Sequence, residues 1–397
     1  MDYNNSFIIP MSSPDITDLE RQAVMDVLQT TSLSMGARIL AFEAAFREFT
    51  GAKHAIAVNS GTAGLHLCVR AAGIQAGDYV ITTPFSFVSS TNAFLYENAI
   101  PVYVDADPQT GNIDPKMVEL AAQDLLKGGS SARHWLPRKG AESQGNLKAI
   151  LSVDVFGQPA DFDPLRASAD RYGLKLINDS CESLGAVYKS IKAGRLGDYG
   201  VFAFYPNKQI TTAEGGIIIT DDDQAARIMC ALRNQGRVPG DTWLDHSLLG
   251  YNYRLDEFSA ALGTAQMLRL EELLQKRSRV AEWYNRYLAE VNEVEVPYVS
   301  STTSRVSWFV YVVRISPHFD RTNVIRSLAE RGIPSRPYFS PIHLQPFMVE
   351  RFGFREGDYP VTEDLGKRGL ALPFSGLMTE EQVITVCSTL KDILIPR

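Results

Sequence analysis

Apolar side chains in the N-terminal part of the chain recur at helical intervals. The positions that show this spacing are Leu19, Val24 and Leu28. We predict a helix that Ser13 or Asp15 caps and that ends near Leu28. A second amphipathic helix is predicted over residues 37–49. Residues 1–13 are expected to form an extended arm, and both helices to pack on the outside of the unit that follows.

From residue 54 onward, short apolar runs alternate with helical stretches. This alternation is typical of an α/β fold with a mostly parallel sheet flanked by helices. Strands are predicted over residues 54–60, 79–83, 101–105, 148–157 and 174–177. The intervening helices are predicted to begin near residue 62 and to span residues 86–96, 114–126 and 164–172. The polar, Gly- and Ser-rich stretch at 128–146 is predicted to be an exposed loop.

The last third of the chain predicts a smaller unit. Residues 256–288 fit one long helix or a helix pair, and we place a domain boundary within this stretch. The boundary gives a large domain over residues 1–265 and a small C-terminal domain over residues 266–397. A strand and two helices are predicted in the small domain, over residues 306–316, 322–331 and 379–394.

Composition and charge exclude several classes of protein. The chain has 397 residues and a formal net charge of −7 without a basic tract, so nucleic-acid binding is not expected. Its four cysteines lie far apart, which indicates neither a zinc site nor a disulfide framework. The sequence has no signal-peptide pattern and no apolar run of about 18 residues. We therefore expect a soluble, cytoplasmic protein.

One lysine lies between two short apolar strands. The strands are predicted over residues 201–204 and 217–220, and Lys208 lies in the turn between them. Most loop lysines are solvated, but partial desolvation here would disfavour the ammonium form and make Lys208 a candidate nucleophile. Such an amine can form a Schiff base with a carbonyl, including the aldehyde of pyridoxal phosphate. That chemistry would also require a phosphate-binding turn and a carboxylate for the pyridine nitrogen.

Further candidates fall at the ends of predicted strands. Residues 60–64 lead into a helix N-terminus, where free N–H groups, close glycine backbone and the Thr62 hydroxyl suit a phosphate, although an ordinary capped turn is the alternative. Phe87 could lie on a planar cofactor ring or belong to the core. Asp179 could pair with a pyridinium nitrogen or cap a helix. Together with Lys208, these residues support one cofactor site more strongly than each does alone.

Several segments carry a resemblance to a known family. They are SGTAGLH (60–66), TPFSFVSSTNA (83–93), INDSCESLGA (177–186), FYPNKQITTAEGG (204–216), LRNQG (232–236) and GYNYRLDEFSAALGTAQ (250–266). With them the chain resembles the DegT/DnrJ/EryC1/StrS family of pyridoxal-phosphate sugar aminotransferases. The resemblance implies the fold of type I aminotransferases, with an α/β large domain, a mostly parallel sheet and a smaller C-terminal α+β domain.

The resemblance also implies roles for individual residues. Lys208 would form the internal aldimine and later move a proton between the substrate carbon and the cofactor. Asp179 would bind the pyridine nitrogen, Phe87 would stack on the ring, and Glu182 would lie near the ring hydroxyl, where the family often has Gln or His. The phosphate would be held at the start of the helix, by Gly61, Thr62 and Ala63.

Other residues are implied to complete the site. Asn252 would reach the phosphate of the neighbouring subunit, so that a homodimer shares its active sites. The stretch at 332–343 holds three prolines and predicts a rigid loop folded over the site, with Tyr338 and His343 as substrate contacts. One departure is Ala203, where the family commonly has a serine that binds phosphate, and Tyr205 is a candidate substitute.

The expected function is transfer of an amino group to a nucleotide-linked keto-sugar, in amino sugar and polysaccharide biosynthesis. L-Glutamate would leave its nitrogen on the cofactor as pyridoxamine phosphate, and a 4-keto-6-deoxyhexose would receive it. A 3-keto sugar or a keto-cyclitol are alternative acceptors. Some relatives with histidine in place of the lysine catalyse deoxygenation, and Lys208 argues against that branch. A pyridoxal-phosphate eliminase or dehydratase and a non-catalytic, cofactor-binding regulator are the alternative functions.

Overall fold

The structure, a computed structural model, describes residues 9–141, 145–238, 240–242 and 244–395. Residues 1–8 of the predicted arm and residues 142–144 of the predicted loop therefore lie outside the described residues. None of the helices in the described ranges combines the length and the apolar character needed to cross a bilayer.

The strands and helices alternate along the first part of the chain and then form a second group. The strands are β1 His54–Val58, β2 Tyr79–Thr82, β3 Ile100–Tyr103, β4 Leu147–Val153, β5 Lys175–Asp179, β6 Val187–Tyr188, β7 Ile191–Lys192, β8 Tyr199–Ala203, β9 Gly216–Thr220, β10 Val294–Glu295, β11 Thr303–Arg305, β12 Tyr311–Ile315, β13 Arg336–Pro337 and β14 Gly369–Leu372. The helices are α1 Asp18–Leu28, α2 Ala37–Thr50, α3 Gly61–Ala71, α4 Ser89–Leu95, α5 Pro115–Lys127, α6 Gly129–Trp135, α7 Phe162–Tyr172, α8 Asp223–Arg233, α9 Glu257–Leu268, α10 Leu270–Leu288, α11 Arg321–Ala329, α12 Pro346–Phe352, α13 Pro360–Arg368 and α14 Glu380–Leu394. Short 3-10 turns lie at Val155–Gly157 and Ile342–Leu344.

A seven-stranded sheet forms the centre of the first group. Its order is β1-β9-β8-β5-β4-β2-β3. The pairs from β3 through β2, β4 and β5 to β8 are parallel, whereas β9 runs antiparallel to both β8 and β1. Helices α3 and α8 cover one face and α5 and α7 the other, so both faces are apolar and buried. The predicted α/β class with a mostly parallel sheet is thus confirmed.

The C-terminal group has an antiparallel sheet of its own. Strands β10, β12, β14 and β13 are neighbours in that order, and α10, α11 and α14 pack with this sheet around a separate apolar core. Helices α9 and α10 form the predicted helix pair and are separated at Arg269. The parallel strands of the large sheet all end at one edge, which in α/β sheets is the usual place for a ligand.

The first helix has a different cap from the predicted one. Thr17 is its N-cap, and the Thr17 N–H donates to the Glu20 carboxylate over 2.7 Å. Neither Ser13 nor Asp15, the two predicted caps, is the N-cap, and Asp15 instead forms ion pairs with Arg269 at 2.9 Å and Lys276 at 2.7 Å. The prediction was wrong because Thr17 lies closer to the first turn and Asp15 has cationic partners on a distant helix.

The stretch predicted as a loop at 128–146 contains the short helix α6. The helix has no buried residue, which agrees with the predicted exposure. Its last residue, Trp135, donates its indole N–H to Asp124 of α5 over 2.9 Å. The prediction of an irregular loop was therefore wrong for residues 129–135, where contact with α5 supports a turn of helix that composition alone does not indicate.

Candidate active site

A cavity of about 320 Å³ lies at the carboxyl ends of β5 and β8. It is lined by residues from the large sheet, from the start of α3, and from the C-terminal group. The predicted site residues that line it are Gly61, Thr62, Phe87, Asp179, Glu182, Lys208 and Tyr338. The fold therefore brings together side chains that are widely separated along the sequence.

Lys208 lies in the turn after β8 with its side chain only 13% exposed. Its Nζ is 3.8 Å from Oε1 of Glu182 and 3.8 Å from the centre of the Phe309 ring. An aromatic face attracts a cation, so the ring and the carboxyl both fix the position of the amine. Phe309 lies in the predicted strand at 306–316, but nothing in that apolar run distinguishes it from its neighbours.

The backbone of Lys208 is held by a buried arginine. Arg277 of α10 donates from Nη2 to the carbonyl oxygens of Lys208 (2.6 Å) and Asn207 (3.2 Å). It also donates from Nη1 to the carbonyl oxygens of Phe309 (3.1 Å) and Trp308 (3.4 Å). Burial lowers the pKa of the Arg277 guanidinium to about 10. One side chain thus joins the lysine turn to the segment that carries the facing aromatic ring.

Asp179 is the last residue of β5 and is 4% exposed. Its Oδ2 accepts a hydrogen bond from the Ser90 hydroxyl over 2.7 Å, and its Oδ1 accepts the Cys181 N–H over 3.2 Å. The Ser86 and Ser90 hydroxyls are 2.9 Å apart. Ser90 was not predicted, although it lies one helical turn after Ser86 in a segment that resembles the family. These contacts orient a carboxylate toward the cavity.

Replacing Ser90 with alanine should weaken binding of pyridoxal phosphate by about tenfold. A hydrogen bond to a charged group contributes about 1.5–3 kcal/mol to stability. We expect only part of that loss to appear in the free energy of cofactor binding, because Ser90 acts on the cofactor through Asp179. Titration of cofactor-free protein with pyridoxal phosphate measures the dissociation constant. Ser89→Ala is the matched control, because Ser89 also lines the cavity. Equal dissociation constants for the two variants would show that Ser90 does not position Asp179.

Glu182 lies in the turn that follows β5, and its side chain is 7% exposed. Its Oε2 accepts the Phe156 N–H over 2.9 Å. Burial raises the pKa of the Glu182 carboxyl to about 7, although the nearby Lys208 ammonium and the Phe156 N–H oppose the rise. A buried carboxyl with this pKa can hold or release a proton near neutral pH.

A second buried carboxyl lies behind the cavity. Asp154 follows β4 and accepts hydrogen bonds from the hydroxyls of Ser180 (2.8 Å) and Ser183 (2.6 Å). Burial raises the pKa of Asp154 to about 6, and these hydroxyls partly offset the effect. Both serines belong to the turn after β5, so Asp154 fixes the turn that carries Glu182. Sequence reasoning missed this residue, because an aspartate after an apolar strand gives no indication of its partners.

The N-terminus of α3 forms one end of the cavity. The Ser60 hydroxyl caps the helix by accepting the Ala63 N–H over 3.1 Å, so this N–H already has a partner. Ala63 does not line the cavity, whereas Gly61 and Thr62 do. A Cβ on Gly61 would lie 2.7 Å from Cβ of Ala203, so the close approach of this turn to β8 requires glycine. The first N–H groups of a helix suit an anion.

Phe87 and Tyr205 lie at the exposed rim of the cavity. Phe87 is 61% exposed and Tyr205 is 54% exposed. Asn252 does not line this cavity and is exposed to solvent. Its backbone carbonyl accepts a hydrogen bond from the Asn59 side chain over 3.4 Å. The described chain alone therefore leaves these three side chains open to solvent.

The two predicted substrate contacts lie in different environments. Tyr338 lines the cavity, and burial raises the pKa of its phenol. His343 is fully buried, with its Nε2 3.0 Å from the Glu363 carboxylate, and does not line the cavity. Desolvation lowers the pKa of His343. The structure thus brings Tyr338 to the site and leaves His343 in the packing around α13.

Pyridoxal phosphate fits this set of residues. Gly61 and Thr62 would hold its phosphate, because they line the cavity at the start of a helix, and the first N–H groups of a helix suit an anion. The Lys208 amine would join its aldehyde, and the Asp179 carboxylate would face its ring nitrogen. The donors and acceptors thus match an anionic group at one end and a protonated nitrogen at the other.

Comparisons with known proteins agree with this fit. Residues 14–391 match the DegT/DnrJ/EryC1/StrS aminotransferase family. GDP-perosamine synthase of Caulobacter vibrioides is 38% identical over 391 residues, which cover 98% of each protein. Helicobacter pylori PseC, an aminotransferase involved in the biosynthesis of pseudoaminic acid, superposes with a TM-score of 0.86 at 28% identity, over 96% of this chain and 98% of its own. DesV of S. venezuelae superposes with a TM-score of 0.85 at 28% identity, over 98% and 99% respectively. The chain therefore belongs to the DegT/DnrJ/EryC1/StrS family and is a pyridoxal-phosphate-dependent aminotransferase.

Proposed function

We propose that the protein transfers an amino group from L-glutamate to the ketone of a nucleotide-linked sugar. The observation that carries this proposal is the 38% identity, over 98% of both chains, to a protein named GDP-perosamine synthase. The acceptor proposed first is a 4-keto-6-deoxyhexose nucleotide, followed by a 3-keto sugar or a keto-cyclitol. The cavity supports an aminotransferase of this kind, because a buried amine, a buried carboxylate and a helix N-terminus meet there.

Each residue around the cavity has a separate role in the proposed reaction. Bound pyridoxal phosphate supplies an aldehyde that joins amines and a ring that stores the electron pair released at the amine carbon. Lys208 Nζ holds the cofactor and then carries the proton from the donor carbon. The Asp179 carboxylate holds the ring nitrogen, and Phe87 covers one face of the ring. Tyr338, from the C-terminal group, contacts the sugar.

The phosphate end of the site is proposed to need a second subunit. Gly61, Thr62 and Ala63 begin the helix that would hold the phosphate, and Asn252 of a partner copy would complete it. Asn252 is exposed, and Leu249, three residues before it, is 82% exposed, which suits a covered surface. For a homodimer that shares its active sites, analytical ultracentrifugation should give a mass of twice the 44.0 kDa of the chain.

The division into two domains near residue 265 is also a proposal. The boundary would fall inside α9, after the last strand of the seven-stranded sheet and before the first strand of the antiparallel sheet. Phe309 and Tyr338 follow the boundary and line the cavity beside Lys208. The site would then lie between the large domain and the small one, which is a common place for a ligand.

Addition of L-glutamate alone should convert the cofactor absorbance to that of the pyridoxamine form. A keto-sugar nucleotide added next should restore the original spectrum and yield an amino sugar, which mass spectrometry detects. A panel of keto-sugar nucleotides identifies the acceptor. An eliminase on this scaffold would consume sugar without a nitrogen donor, and a regulator would give no product. Either result, or a spectrum that no amino acid changes, would contradict the proposal.

A further inference from the structure

We infer that, above neutral pH, the protein takes up one proton at Glu182 when it binds pyridoxal phosphate, so that a neutral carboxyl faces the phenolic oxygen of the cofactor. The inference rests on the proposed placement of the cofactor at Lys208. It concerns the chemistry of binding rather than the sugar that is aminated. Its consequence is that cofactor affinity depends on pH through one identified side chain.

The position of Glu182 supports this inference. Its Oε1 is 3.8 Å from Lys208 Nζ, so this carboxyl forms the ion-pair contact of the lysine. Its Oε2 is fixed by the Phe156 N–H at 2.9 Å. The side chain is 7% exposed, so water contributes little to its solvation. A carboxyl held in this way cannot turn toward bulk solvent when a ligand arrives.

The charged groups around Glu182 do little to stabilise its ionised form. Lys208, in the turn after β8, is the cation that acts on it. Asp179 of β5 and Asp154 after β4 are carboxylates that oppose its ionisation. Glu182 thus has one lysine and two other buried carboxyl groups as charged neighbours, and burial raises the pKa of Glu182 to about 7.

Two weaker acids complete the set of titratable neighbours. Burial raises the pKa of the Cys181 thiol and of the Tyr338 phenol, and each acts electrostatically with Glu182. Both groups stay neutral near pH 7 and so add no compensating charge. Neither Cys181 nor Tyr338 therefore exchanges protons with solvent near neutral pH, and Glu182 is the group whose protonation we expect to change.

The chemistry of the cofactor brings another negative group to this carboxyl. In pyridoxal phosphate, the ring carbon that carries the aldehyde is bonded to the ring carbon that carries the phenolic oxygen. When a protonated Lys208 amine joins the aldehyde, the aldehyde oxygen leaves as water with two of the amine protons and the third stays on the linking nitrogen, so this step changes no proton count. The phenolic oxygen then lies beside the lysine, and the carboxyl next to Lys208 Nζ lies within reach. Two anions in a buried cavity repel each other strongly. A single proton between the carboxyl and the phenolic oxygen removes the repulsion and forms a hydrogen bond.

The sign of the pH dependence follows from linkage. Without cofactor, the pKa of Glu182 is about 7, and a neighbouring phenolate raises it further. Well below pH 7 the carboxyl is protonated in both states, so proton uptake at Glu182 decreases as the pH falls. Above pH 7 the free protein has lost the proton that the complex retains, and affinity falls by about tenfold per pH unit through this group.

Calorimetry of the full chain freed of cofactor tests the inference. Pyridoxal phosphate is titrated into the protein at pH 6.5 and at about pH 8.0, in two buffers with different ionisation enthalpies, which gives the number of protons taken up. Glu182→Gln keeps the shape of the side chain. Its amide can donate a hydrogen bond to the phenolic oxygen, but it does not take up a proton on binding. We expect wild type to take up close to one proton more than Glu182→Gln at the higher pH, and the two to agree more closely at the lower pH.

Matched controls separate this result from other causes. Glu214→Gln makes the same change at an exposed carboxyl on the rim of the cavity and should keep the proton uptake of wild type. Loss of the cofactor's lysine-bound absorbance in Lys208→Ala shows that the titration reports this site. Equal proton uptake by wild type and Glu182→Gln at both pH values would overturn the inference. No sugar substrate is used, so the proton uptake can be interpreted even if the proposed amination is not observed.

Discussion

Replacing Lys208 with alanine should lower the rate of keto-sugar amination by at least about 10³-fold, because positioned acid–base groups contribute roughly 10²- to 10⁴-fold and this one also holds the cofactor. Its side chain is 13% exposed, and its amine lies 3.8 Å from both the Glu182 carboxyl and the centre of the Phe309 ring, so a water molecule would have little room to replace it. The variant should keep its fold, since Arg277 binds the backbone carbonyl of residue 208 rather than its side chain.

The rate is measured with protein loaded with pyridoxamine phosphate, so that proton transfer is tested apart from cofactor attachment. A small primary amine added to the Lys208→Ala variant should restore part of the rate, because it can enter the space left by the side chain. Lys127→Ala is the control, at an exposed lysine on the last turn of α5. A rate within tenfold of wild type for Lys208→Ala would exclude Lys208 as the proton carrier.

Replacing Asp179 with asparagine should lower the rate of the glutamate half-reaction by roughly 10²- to 10³-fold, as removal of one preorganised electrostatic partner does in other enzymes. The amide has nearly the shape of the carboxylate, and its oxygen can still accept the Ser90 hydroxyl now 2.7 Å from Oδ2. The change therefore removes a charge opposite the ring nitrogen and leaves the packing of β5 intact.

Stopped-flow absorbance with L-glutamate measures this half-reaction directly. Asp170→Asn is the matched control, because Asp170 lies on α7 in a surface ion pair with Arg166 and away from the cavity. The control should react at the rate of wild type. If Asp179→Asn slowed the reaction no more than Asp170→Asn does, the carboxylate at the end of β5 would have no part in stabilising the reacting ring.

The sequence was enough to predict that Thr62, Asp179 and Lys208 lie close together. Each follows or ends a short apolar strand, and one rule of sheet geometry places the ends of such strands at the same edge. Asp179 ends a parallel strand and Lys208 follows a neighbouring one, and parallel strands end at the same edge of a sheet. Thr62 follows a third strand, β1, whose antiparallel pairing with β9 still brings its last residues to that edge. Short apolar runs and their boundaries were enough to place these side chains together.

Contacts between distant segments could not be predicted in the same way. Ser90 meets Asp179 across 89 positions of sequence, and Arg277 meets the Lys208 carbonyl across 69. Such pairs depend on the path of the chain in three dimensions, and a serine or an arginine gives no local indication of its partner. His343 was expected in the site from the resemblance to the family, and the structure instead packs it against α13, where its Nε2 lies 3.0 Å from the Glu363 carboxylate.

The buried guanidinium of Arg277 has a consequence for how the walls of the cavity can move. Because it binds the lysine turn and the Phe309 segment at once, we expect these two walls of the cavity to move together. The exposed rim of the cavity is formed by Phe87 and by Tyr205, whose backbone carbonyl accepts the Lys208 N–H over 2.9 Å within the lysine turn. We therefore expect the Lys208 side chain to keep its position when the exposed side chains of Phe87 and Tyr205 reorient around a ligand.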